Sequence, residues 1–271
     1  MPDPVITSLQ NQRVKDAAKL RDARRRAKQG RIIIDGNREI LRALEGGVEL
    51  VELFVCPSLF TSATSSDLIA AAEATEATIH HVSDEVFAKL TFGSRSEGVI
   101  AVARPPQRTL KDLPPTRGQL VAVLEGVEKP GNVGAVLRSA DGAGIGAVVL
   151  VDPRTDLFNP NCIRASLGTV FTVPLCEADA QSTVAWLQEN EVQVVAARVD
   201  AEKNYDEVDY RPGTALVLGS EAAGLSPAWH GAEVQSVCLP MLGIADSLNV
   251  SAAAAVMFYE ARRQRDAASP K

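Results

Sequence analysis

Three stretches of this chain place small, polar and charged residues directly after apolar runs that read as strands: EGVEKPGNVGAVLRSADGAG (125–144), LGSEAAGLS (218–226) and LPMLGIADSLNVSAAAAV (239–256). Open α/β sheets bind ligands in the crevice beyond the carboxyl ends of their strands, so three such segments predict one shared binding site. They hold an arginine (Arg138), a carboxylate (Glu221) and the neutral polar residues Asn132, Ser247 and Asn249. Ser247 and Asn249 stand just ahead of an apolar stretch and can equally serve as caps of the helix that follows. Far from these segments, Arg13, Lys15, Lys19, Arg21, Arg24, Arg25, Arg26, Lys28 and Arg31 face only Asp16 and Asp22. That block is able to neutralise phosphates, although a basic helix is also often just a solvated face. The net charge of −6 argues against a protein that coats nucleic acid indiscriminately; residues 1–105 are charge-balanced and 106–271 carry the deficit.

Other chemistries fit poorly. Gly142-Ala143-Gly144-Ile145-Gly146-Ala147 matches a loose dinucleotide pattern, but its glycines close a helix and lead into the strand AVVLV, the reverse of the order that seats a pyrophosphate on a helix N-terminus. No phosphate-binding G-x-x-x-x-G-K-[ST] loop occurs, and His80, His81 and His230 lack the spacing of a metal site, so no metal is expected. Cys56, Cys162, Cys176 and Cys238 lie far apart with no C-x-x-C pair, which reads as buried small side chains rather than disulfides or zinc ligands. No apolar run reaches the ~18 residues of a membrane span and the start lacks the pattern of a signal peptide, so a cytoplasmic protein is expected, with no membrane partner.

The elements that must position these residues divide at a proline-rich stretch, Pro105-Pro106 to Pro114-Pro115. The reading is a domain over 1–105, a linker over 106–118 and a second domain over 119–271. In the first, Ser8 is expected to cap a helix ending at Gly30, followed by a helix at 37–44, a strand at 48–56, a helix at 67–75, a strand at 77–82, a helix at 84–90 and a strand at 98–103. In the second, LVAVL, AVVLV, VQVVAA, TALVLG and SVCLPM are continuously apolar, as strands of a parallel sheet covered on both faces should be. Helices are expected at 133–143, 178–190, from Pro227 onward and over 248–265. The fold class is therefore α/β, with a small α/β domain preceding a parallel-sheet domain.

In order and spacing, the three segments resemble the signature motifs of the SpoU/TrmH family of RNA ribose 2′-O-methyltransferases, within the SPOUT class. The first resembles the family through Pro130, Asn132, Gly134 and Arg138, the second through Gly219, Glu221 and Gly224, and the third through Pro240, Met241, Ser247, Leu248, Asn249, Val250 and Ser251. RASLGTVFTVP (164–174) is similar to the family's intermediate segment, and the N-terminal part resembles a substrate-binding domain related to the ribosomal L30e/L7Ae fold. Glu125 is a departure, since the family more often has aspartate there.

This resemblance implies a SPOUT-type catalytic domain with a deep trefoil knot, a homodimer, and S-adenosylmethionine held by Leu218, Gly219, Leu239, Met241, Ser247, Leu248 and Asn249. It implies a catalytic set of Arg138, Asn132, Glu221, Ser247 and Asn249. A guanidinium is a poor base, so Arg138 suits clamping of the substrate phosphate and stabilisation of a developing alkoxide, with Glu221 orienting Arg138 or a backbone amide. RNA contacts are expected from Arg13, Lys19, Arg24, Arg25, Arg26 and Arg31. The reactive 2′-hydroxyl distinguishes RNA from DNA, so no DNA partner is expected. The resemblance favours large-subunit, 23S-type ribosomal RNA as substrate; a transfer-RNA 2′-O-methyltransferase and a non-catalytic RNA-binding scaffold are the alternatives.

Overall fold

The computed structural model describes residues 4–92, 97–114, 116–231 and 233–268. Two compact units emerge, one formed by residues up to 106 together with 157–172, the other by 107–156 and 173–271.

In the first unit, α1 (Gln12–Lys19) and α2 (Ala23–Gln29) lead to β1 (Ile32–Asp35), α3 (Asn37–Glu45), β2 (Leu50–Val55), α4 (Thr64–Glu73), β3 (Thr78–His81), α5 (Asp84–Leu90) and β4 (Val99–Ala103). The sheet order is β1-β4-β2-β3, with β4 antiparallel to both neighbours and β2 parallel to β3. Val14, Ala17 and Leu20 of the first helical segment pack with Val86, Phe87 and Leu90 of α5 on Ile33, Phe54, Ile100 and Val102 of the sheet.

The single helix expected from Ser8 to Gly30 is two helices. Asn11, not Ser8, caps α1 by accepting from the Arg13 amide at 2.9 Å. Asp22 then accepts from the Arg25 amide at 3.0 Å, starting a new helix and so ending the old one. Gly30, at φ +59°, closes α2 as anticipated. The turn between them is held by Arg26, 4% exposed, which donates to the Leu20 and Arg21 carbonyls at 2.7 and 2.8 Å. Strand β1 (IIID) was not anticipated, because four residues between a basic block and a helix carry too short a pattern.

The second unit runs β5 (Leu120–Glu125), α6 (Pro130–Ala143) and β6 (Ala147–Val151). Residues 157–172, with α7 (Pro160–Ala165) and α8 (Thr169–Thr172), pack within the first unit, α7 against β1 and α8 against α3. Back in the second unit follow β7 (Leu175–Ala178), α9 (Ala180–Glu189), β8 (Gln193–Ala197), β9 (Thr214–Leu218), β10 (Val234–Val237) and α10 (Val250–Ala268). The six strands form one all-parallel sheet in the order β10-β8-β9-β5-β6-β7. β5, β6 and β9 are buried at every residue, which is why their sequences run apolar without alternation. Strand β7 (LCEA) escaped the reading, and the helix expected from Pro227 is one turn, Pro227–Trp229, because Gly231 and β10 follow too closely for more.

Asp35, at the end of β1, has its side chain 8% exposed, accepting from the Phe92 amide at 2.7 Å and lying 3.4 Å from the Arg164 guanidinium. Burial pushes its carboxyl up to about 6, against the opposing pull of Phe92 and Arg164. The folded protein therefore holds this proton more tightly than the unfolded chain, so its contribution to stability falls as pH rises from about 4 to about 6. In thermal melts across that window, Asp35→Asn should flatten the slope; an identical slope in both proteins refutes the assignment. Separately, Arg26→Ala leaves two carbonyls without their donor and should cost about 1–3 kcal/mol, read as a lowered denaturation midpoint.

Candidate functional site

The parallel sheet brings the carboxyl ends of β5, β8 and β9 side by side, and the site is built there. After Leu218 the chain makes a tight loop. A Cβ on Gly219 would lie 2.4 Å from the Gly224 carbonyl carbon and oxygen, so the close approach of the loop to itself requires glycine. The Gly224 amide donates to the Ser220 carbonyl at 3.0 Å, and the Ala223 amide to Ser220 Oγ at 3.0 Å.

The far end of this loop is fixed by Glu125, the last residue of β5 and only 6% exposed. Its carboxylate accepts from the Ser226 amide and Ser226 Oγ, both at 2.7 Å, and from the indole Nε1 of fully buried Trp229 at 3.0 Å. A buried carboxylate is tolerable only with such donors, so loop and strand end stabilise each other. The sequence flagged Glu125 only as a departure from a motif; its position at a strand end was the available signal.

Glu221, at the loop's tip, joins all three segments. It accepts from Lys129 Nζ at 3.0 Å and Asn132 Nδ2 at 2.9 Å in the first, and from Asn249 Nδ2 at 2.5 Å in the third. The Lys129 hydrogen bond, foremost, holds its carboxyl below the usual glutamate range, and the Val250 amide and Asn132 add to this. Asn249 also caps α10, its Oδ1 accepting from the Ser251 amide at 3.0 Å and Ser251 Oγ at 2.6 Å, so the capping and networking roles coexist.

A cleft of about 580 Å³ opens beside this network. Leu218, Gly219, Leu239, Met241, Ser247 and Leu248 all line it, as does Glu221. Asn132 and Asn249 stand behind Glu221 rather than on the cleft wall. Arg138 is elsewhere: it is exposed on α6, six residues and ~9 Å of helix rise beyond Asn132, and is not among the cleft residues. Glu221 is bonded to Lys129, Asn132 and Asn249, so the expectation that it orients Arg138 is not met within this chain, while a backbone amide, that of Val250, does contribute.

Sequence reasoning missed Arg198 and Asp200, which follow β8 and also line the cleft. They form a bidentate pair, Nε to Oδ1 at 2.9 Å and Nη2 to Oδ2 at 3.0 Å. The strand-end rule applied to VQVVAA would have pointed to them.

In the first unit the basic block is not uniform. Arg13 and Arg31 pair with Glu52 at 2.8 and 3.4 Å, and Lys19 with Asp16 at 3.0 Å. Arg24 and Arg25 are exposed, and neither side chain has a hydrogen-bond or ion-pair partner among the described residues. Arg26 is withdrawn from any external contact by its burial, which corrects its assignment to RNA.

Residues 119–259 match the model of the SpoU rRNA Methylase family. The chain belongs to that family. Residues 11–101 match the MRM3-like substrate binding domain, which is thus the module preceding the SpoU domain. The Bacillus subtilis 23S rRNA (guanosine(2553)-2′-O)-methyltransferase is 30% identical over 257 residues, 95% of this chain and 98% of the relative. A solved RNA 2′-O-ribose methyltransferase superposes with a TM-score of 0.83 at 40% identity, covering 97% of this chain and 99% of that one. An S-adenosylmethionine-bound rRNA methyltransferase from Sinorhizobium meliloti superposes with a TM-score of 0.87 at 29% identity, covering 96% and 97%.

That bound relative makes S-adenosylmethionine the probe for this SpoU domain's loop. Glu125→Gln places an amide N–H against the donors of Ser226 or Trp229, and is expected to weaken S-adenosylmethionine binding about tenfold in calorimetry. Unaltered affinity in a folded variant would count against the clamp.

Proposed function

We propose that this protein transfers a methyl group from S-adenosylmethionine to a ribose 2′-hydroxyl of large-subunit ribosomal RNA. The observation that carries the reading is the convergence of all three SpoU segments on Glu221 beside one cleft. The cleft fits the donor on its own terms. Its volume is in the range of small-ligand sites. Gly219 keeps the loop backbone accessible, and the carboxylates of Asp200, Glu221 and Asp246 on the wall suit a cationic sulfonium.

When bound, the donor would supply an electrophilic methyl group to the ribose oxygen. Leu218, Gly219, Leu239, Met241 and Leu248 hold and orient it, excluding water with apolar side chains and offering backbone amides. Ser247, on the cleft wall, offers a hydroxyl to the donor's polar groups. Glu221, with Asn132, Asn249 and Lys129, keeps the three segments in register and shapes the polar end of the cleft. Arg138 clamps a substrate phosphate and, through its planar fork of N–H donors, stabilises the charge that develops on the ribose oxygen, whose proton passes to solvent as the methyl leaves sulfur.

Arg138 faces outward from its own chain, which supports a homodimer whose site is completed across subunits. Val256 and Tyr259 of α10, 36% and 54% exposed, give that helix apolar surface for a second copy. The trefoil knot belongs to the same reading; the return of α10 onto α6 after the chain has reached β10 at the far edge of the sheet supports it. A ribosomal RNA substrate fits a cytoplasmic protein.

Arg138→Ala should lower methyl transfer to a large-subunit rRNA transcript by about 100-fold or more while S-adenosylmethionine affinity stays within twofold of about its original value. Radiolabelled methyl incorporation and calorimetry measure the two. A wild-type rate in the variant refutes the role of Arg138, and no transfer by the unmodified protein refutes the proposed function.

A further inference from the structure

Glu52 lies near the start of β2, opposite Thr78 of β3 and Val102 of β4, immediately after a register shift between Leu50 and Glu52. Alternation places it on the face of Phe54, which is the face covered by α1 and α5. Its side chain is 11% exposed and carries three cation-capable groups: Arg13 Nη1 donates to Oε1 at 2.8 Å, Arg31 Nη1 donates to Oε2 at 3.4 Å, and His80 Nε2 lies 3.4 Å from Oε1. The His80 ring is itself braced by Phe54, with ring centroids 5.4 Å apart.

One carboxylate cancels one guanidinium. A second leaves a positive charge fixed in place, and neither Arg13 nor Arg31 has another side-chain partner among the described residues. As a stabilising device this would be extravagant, since desolvating charges repays little. Yet the two arginine side chains are 57% and 39% exposed, so each offers its unused N–H groups to solvent. A planar guanidinium fork matches a phosphate, and one already held in position loses less conformational freedom on contact.

We infer that Glu52 is a positioning residue that aligns Arg13 and Arg31 into a preorganised phosphodiester-binding platform for the RNA substrate. The inference rests on the proposed function for RNA as the substrate and adds which residues form a fixed contact and what fixes them. Arg24, Arg25 and Lys28, exposed on the neighbouring helix, then supply diffuse attraction, whereas the platform sets where a phosphate sits.

Glu52→Gln separates alignment from charge by sign. It removes a negative charge, so attraction to RNA would rise if charge alone mattered; the platform instead requires binding about tenfold weaker. Arg13→Gln and Arg31→Gln should each weaken binding about tenfold and lower the slope of log affinity against log salt by about one. Added to the double arginine variant, Glu52→Gln should no longer weaken binding, because nothing is left for it to align. The probe is an in-vitro transcript of bacterial large-subunit ribosomal RNA at a fixed salt concentration, with thermal midpoint and S-adenosylmethionine titration on the same preparations. Equal or tighter binding by folded Glu52→Gln overturns the platform and leaves RNA as the substrate. No transcript binding by the unmodified protein overturns both. If Glu52→Gln does not fold, undiminished binding by the two exposed arginine variants overturns the platform as well.

Discussion

The cleft depends on one buried carboxylate. Glu125 sits where β5 ends, and three donors from the segment after β9 converge on it, so an end of an otherwise irregular segment is fixed to a fully buried inner strand of the sheet. Without that carboxyl group the buried Trp229 indole would lack its acceptor and the half-buried Ser226 amide would lose one; without those donors burying the carboxylate would be costly. The tight Gly219 to Gly224 turn and the position of Glu221 follow from this anchorage. Loops that bind ligands are usually the least stable parts of a fold, and here the stability is borrowed from the neighbouring strand.

Charge is used differently in the two units. Around the cleft, carboxylates dominate, and Glu221 is kept ionised by Lys129 and amide donors, an environment suited to a cationic ligand. In the first unit, Arg26 serves the turn between helices, Arg13 and Arg31 are gathered on Glu52, and Arg24 and Arg25 remain in solvent. A block that is uniform in sequence is thus divided among one arginine buried in a turn, two paired with Glu52 and two left exposed, according to the partners that the fold places within reach.

Much of this was legible beforehand for physical reasons. Strands buried on both faces must be continuously apolar, so β5, β6 and β9 stood out, and in a parallel sheet their carboxyl ends mark the ligand crevice without knowledge of the fold's details. Some short elements were not legible. β1 and β7 have four residues each, too few for periodicity, and the break between α1 and α2 turns on whether Asp22 caps or points to solvent.

The amino-acid sequence by itself determined the α/β class and the three strand-end segments that meet at the cleft, because strand patterning and strand-end placement are local properties of the chain; the individual cofactor residues came from the family resemblance. Tertiary structure alone decided that Glu221 bonds Lys129, Asn132 and Asn249 rather than Arg138, that Glu125 anchors the loop, and that Arg26 is buried while Arg24 is not. It also decided that residues 157–172 pack with the first unit rather than with the strands on either side of them in sequence. Each of these is a pairing between residues distant along the chain or a matter of burial, and neither is encoded in the spacing of a single segment.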